Sequence, residues 1–159
     1  MKRFPLEPLS RVRDLRLDAQ QKKVAAFRAA LDEKERLRDL AKQACTDILE
    51  KRQRHQYAIH VATAYVAELE IGWLERAERH RQWIDAEIFK KNTALAAAER
   101  EVVKARQLLD EEILVLRRAQ AKVDALQTFR GEWTQGVLRE NERREEQDSE
   151  ELFKRRVAL

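Results

Sequence analysis

Glycine, proline and cysteine are nearly missing from this chain, which has three, two and one of them in 159 residues. So few helix breakers exclude a fold rich in turns. The single cysteine, Cys45, excludes an internal disulfide and suits a reducing compartment. Aromatics are 6% of the residues, too little bulk for a thick globular core. No apolar run approaches the roughly 20 residues needed to cross a bilayer. The opening "MKRFPLEPLSR" is basic but lacks the apolar stretch of a secretory signal. These absences lead us to expect a cytoplasmic, helix-rich chain with no membrane insertion.

What is present is alanine, leucine and charge. Charged residues reach 39%, and hydrophobic ones 43% with much of that alanine. This is the composition of long helices, with enough apolar surface for a seam between two of them. The net charge of +4 is confined to the first half. Residues 1–72 hold 15 Lys+Arg against 11 Asp+Glu, and residues 73–159 hold 18 against 18. A nucleic-acid binder concentrates cations on one face or arm, whereas here both signs interleave. A solvated mixed-charge surface follows, and no nucleic-acid partner is expected.

Alternate steps of three and four from Leu17 to Trp73 visit seventeen positions, of which twelve are apolar. The same count from Leu95 to Val137 visits thirteen, with only Glu112 and Arg130 breaking the series, and it extends back through Ile88 to Ile84. Heptads sustained this long, with charged residues between them, predict a coiled coil. The two seams are out of phase across the eleven residues from Trp73 to Ile84. Such an offset is either a stutter in one helix or a turn between two. Gly72 is the only nearby residue that favours a helix end, and the seams are nearly equal in length. We therefore expect an all-α, antiparallel two-helix coiled-coil hairpin of one domain, residues 1–159. Its first helix would run over about 10–72, with a turn region near 73–80, a second helix over about 81–150 and a tail at 151–159. A fold near residue 77 sets Leu17 against Val137. Each arm would be about 80–90 Å long at about 1.5 Å per residue. The structural alternative is a parallel homodimer of single long helices. "RFPLEPL" holds both prolines and reads as a lead-in to the first helix, and Gly131 and Gly136 should loosen the second.

No enzyme constellation is visible, and neither catalytic residues nor a cofactor is expected. His55, His60 and His80 are not at ligand spacing on a helix, and Cys45 falls on the seam, so no metal site is expected. No Gly-rich loop precedes a helix to hold phosphates.

One stretch departs from the pattern. "HQYAIHVATAYVA", residues 55–67, carries no Asp, Glu, Lys or Arg. Ile59, Ala62 and Val66 belong to the seam, but Tyr57, Val61 and Tyr65 form a separate stripe at steps of four. Exposed apolar stripes rimmed by charge mark protein contacts, the rival being broader packing against the returning helix.

Three local patterns resemble the type III secretion stalk proteins of the YscO/FliJ family. "FPLEPLSRVRDLR" is similar to their opening of spaced leucines and a basic pair, here Leu6, Leu9, Val12 and Arg13. "RQWIDAEIF" resembles their Trp-Ile with a Phe six residues after the Trp, here Trp83, Ile84 and Phe89. "ENERREEQDSEELF" is similar to their Glu-Asn-Arg and Gln-rich, acidic tail. Flagellar members have a Gly/Asn-rich loop before the Trp, whereas this chain has "EIGWLERAERHRQ". The resemblance implies an antiparallel hairpin that inserts into the hexameric ring of the export ATPase, links it to the export gate and associates with secretion chaperones. It implies a free monomer, cytoplasmic and peripheral at the inner-membrane base of a secretion apparatus. Arg11, Arg13 and Arg16 are the candidates for the ring. Tyr57, Val61, Tyr65, Trp73, Trp83 and Phe89 are the candidates for the gate or a chaperone. The functional alternative is a parallel dimeric coiled-coil scaffold.

Overall fold

The computed structural model describes residues 3–65 and 71–157. Among the described residues two helices make the fold, α1 over Glu7–Tyr65 and α2 over Ile71–Val157. Pro8 stands in the first turn of α1, where its missing N–H is not needed, and Glu7 sets a carboxylate at the positive end of the helix dipole. The Glu7 N–H donates to the Phe4 carbonyl at 3.2 Å, so the proline-bearing lead-in is a turn.

The helices pack against each other as an antiparallel hairpin. Seam positions are covered as the heptads require. All fifteen described members of the first seam are buried or half-buried, while Val66 and Leu69 lie outside the described residues. Of the thirteen positions from Leu95 to Val137, only Arg130 is exposed. With both seams used inside one chain, the parallel dimer of single helices has no seam left to form.

The expected boundaries need correction. Residues 73–80, expected as the turn region, are helical within α2, and the two helices are separated by residues 66–70, outside the described residues. Gly72 has no positive φ and sits in the first turn of α2 rather than ending α1. Trp73 therefore belongs to α2, and the phase change between Trp73 and Ile84 is the stutter, accommodated in one continuous helix. The expected tail is also helical through Val157. Register shifts accordingly: Gln20, three residues beyond Leu17, meets Glu112 instead of the neighbourhood of Val137.

The chain divides into two compact units, residues 1–24 with 111–159 and residues 25–110. In the first, Val24, Val123 and Leu126 are buried on the seam, and Phe4 is buried at the start. Phe4 packs against Phe129 and Trp133 with ring centroids 5.9 and 5.6 Å away. Glu7 pairs with Arg130 at 3.3 Å, Arg13 donates to the Lys122 carbonyl at 2.8 Å, and Lys23 meets the Glu112 carboxylate at 2.6 Å. Past Val137, α2 has no stretch of α1 beside it, and residues 138–154 are exposed throughout. In the second unit, Cys45, Ile48, Ile84 and Val102 form the buried line. Lys34–Glu101 at 3.5 Å, Arg106–Glu35 and Arg52–Asp85 at 3.5 Å tie the two helices along its flanks.

Candidate partner-binding surfaces

A groove of about 630 Å³ in the first unit is floored by Leu9, Ala19, Val115 and Ala119. Arg13, Arg16, Lys23, Arg118 and Lys122 rim it with Gln20, and none of its ten lining residues is acidic. This is unusual here, because most cations have a carboxylate one turn away: Arg36–Glu33, Arg54–Glu50, Arg81–Glu78, Lys90–Glu87 and Lys104–Glu101. Of the floor residues only Ala119 is a seam position, while Leu9, Ala19 and Val115 are exposed beside the seam, and the helix flanks on both sides supply the cations. Glu112 closes one end, bound by Lys23 and Gln20, and those bonds hold its carboxyl below the usual range.

Of the three arginines expected to act together, the structure groups two. Arg13 and Arg16 line this groove. Arg11 lines another, of about 1030 Å³, with Arg3, Phe4, Pro8, Arg130 and Trp133, and it pairs with Glu7 at 3.9 Å. Arg13 is itself tethered by its bond to the Lys122 carbonyl. Arg118 and Lys122 were not among the expected residues. Their signal was in the sequence: "ILVLRRAQAKV", residues 113–123, has three cations and no carboxylate.

The expected aromatic surface in the second unit is split. Tyr57 is 71% exposed, Tyr65 84% and Phe89 74%, so none of these rings is packing in the seam. Tyr57 lies two residues from the seam position His55, about 200° around α1, and so looks away from α2. Val61 and Trp73 are half-buried, and Trp73 continues the α2 seam. Trp83 and Phe89, six residues apart, lie roughly 120° from each other around α2 and do not share a face. Val66 and Ala67 of the uncharged stretch lie outside the described residues.

Trp83 has neighbours that the sequence did not reveal. Its ring stacks on His80 with centroids 5.7 Å apart and planes 11° apart, and Lys51 Nζ stands 4.4 Å from its centroid. His80 meets the edge of His55 at 4.7 Å, and His55 Nε2 donates to the Ala77 carbonyl at 3.0 Å. The histidine on the seam is thus held by a backbone acceptor across the hairpin. Among the described residues no group of three His, Cys, Asp or Glu is placed to hold a metal ion, and Cys45 is buried. No described helix is long and apolar enough to cross a membrane.

These features define a class: an all-α hairpin whose exposed chemistry is a cationic groove and a set of outward aromatics. The chain matches the family described as YscO-like protein over residues 1–155, and it belongs to that family. The family is one of structural proteins of the secretion apparatus, which makes this a protein associated with type III secretion. No curated protein and no solved structure gives a significant match.

Proposed function

We propose that the chain is the non-enzymatic central stalk of a type III export ATPase, inserted in the ring of the hexamer and linking it to the export gate. The observation that carries this reading is the carboxylate-free groove bearing Arg13 and Arg16, in the unit that contains both chain ends. A stalk inside a ring of repeated sites has to be held without being locked. Exposed ion pairs suit that task, since each contributes only about 0–1 kcal/mol and none alone traps the rod. On this reading the protein works in the cytoplasm, at the inner-membrane base of the apparatus. Tyr57, Tyr65 and Phe89, whose rings are exposed, and Val61, Trp73 and Trp83 then serve the gate or a secretion chaperone.

The test replaces Arg11, Arg13 and Arg16 together with Ala and measures stimulation of the cognate ATPase, with helicity as control. Loss of stimulation by a chain that keeps its helicity supports the role. Unchanged stimulation and binding removes these arginines from it.

A further inference from the structure

The chain carries a cationic groove and, separately, an acidic helix with nothing beside it. Residues 140–153, "ENERREEQDSEELF", hold seven carboxylates against two arginines, and every one of the fourteen is exposed. Glu140 pairs with Arg144 at the start of the stretch. Glu142, Glu145, Glu146, Asp148 and Glu151 have no cation partner among the described residues. In the groove, the side chains of Arg16, Arg118 and Lys122 likewise have no carboxylate partner among the described residues. We propose that the acidic end of α2 docks in the cationic groove of a second copy, giving a two-fold dimer in which each copy both offers its helix and receives its partner's.

Size, charge and reach favour this occupant. The groove follows α1 from Leu9 to Lys23, about four turns, and the acidic stretch is about four turns long. Leu152 and Phe153, both exposed, give the incoming helix apolar side chains to set against the floor of Leu9, Ala19, Val115 and Ala119. The stretch cannot reach the groove of its own chain. α2 is one unbroken helix from Ile71 to Val157, which carries Glu140 about 27 Å along the axis from Lys122. A two-fold pairing uses both surfaces of both copies, so the contact is made twice and then closes. The inference goes beyond the stalk reading and departs from the free monomer that the resemblance implies; since Arg13 and Arg16 serve both, self-pairing and ring docking are mutually exclusive.

The test is sedimentation of the full chain alone, with no ATPase present, so that its result is independent of the stalk reading. The expected mass is that of a dimer at low salt and of a monomer near 1 M, because screening shortens from about 10 Å at about 0.1 M to about 3 Å at about 1 M. Reversing the groove with Arg118→Glu and Lys122→Glu should give a monomer at low salt. So should reversing the helix with Glu145→Lys, Glu146→Lys and Asp148→Lys, at exposed positions that no part of the fold packs on. Mixing the two variants should restore the dimer, since each reversed surface then meets its complement. A wild-type chain that is monomeric at low salt overturns the proposal and leaves the groove to a separate acidic protein. A helix-reversed variant that still dimerises, or a mixture of two helical variants that stays monomeric, also overturns it.

Discussion

Ile84 has 0% exposure, the most complete burial of any described side chain. Ile84→Ala removes three buried carbons from a seam that cannot collapse around the gap, and a loss of about 2–5 kcal/mol is expected in denaturant unfolding. A loss no larger than that of an exposed position would mean the seam is not formed there. Glu112 shows how a residue that breaks the sequence pattern is used: it accepts from Lys23 and Gln20, and those bonds hold its carboxyl below its ordinary value of 4.5. Glu78 is lowered to about 2, first by the hydrogen bond from Arg81. A carboxylate lowered in the folded state contributes fully above its unfolded value, and the contribution is lost as pH falls through the folded one. Melting temperature should therefore fall as pH is lowered from 4.5 toward about 2, and Glu112→Gln should flatten part of that fall. A melting temperature that rises over this window contradicts the assignment. Burial at Val24, Ile48 and Val123 was legible because the heptad fixes which face is covered. The partners of Glu112 and His55 were not, because they depend on register, and a period alone does not set register.

At the scale of the helix, composition and period gave two antiparallel helices, and Gly72 misled the boundary between them. A glycine signals a helix end only where a left-handed φ is used, and Gly72 has none. Nothing in "VAELE", residues 66–70, marks a break in sequence, since every residue type in it is common in helices. Equal seam lengths pointed to the hairpin, which the structure bears out, but they set its turn at the phase offset, which lies inside α2. Gly131 and Gly136 test the continuity of α2. A Cβ at either meets nothing within 4 Å. Each Gly→Ala change should stabilise by about 0.5–1 kcal/mol in chemical denaturation. A loss instead would show that the chain is not helical there. Gly72→Ala, whose Cβ would stand 3.7 Å from the Arg76 guanidinium, should be tolerated for the same reason.

For the molecule as a whole, a basic surface near the N-terminus and an aromatic one within residues 57–89 were expected, and the structure refines both. The cationic surface takes two of its five cations from α2, on "RRAQAK", which lies about a hundred residues from Arg13 and becomes its neighbour only through the fold. The aromatic surface loses Trp73 to the seam and keeps Tyr57, Tyr65 and Phe89. Replacing Tyr57 and Tyr65 with Ser should leave melting and helicity unchanged, because both rings are mostly in water. Binding of the gate or a chaperone should fall, and truncation of a true anchor costs about 2 kcal/mol or more. Should melting drop and binding change only in step with it, the stripe is packing. The unequal helices, 59 residues against 87, carry a further consequence. Where α2 runs alone it is held by its own turns, and an unsupported helix opens far more often than a paired one. A trace of protease should therefore shorten the chain from its C-terminal side at the arginines between 139 and 144, and slow sharply at Arg130, where α2 is paired again and the side chain is held by Glu7 and the Phe4 ring. The fragment left behind would keep its groove and lose its acid, so digestion would raise the net positive charge while leaving the paired helices intact.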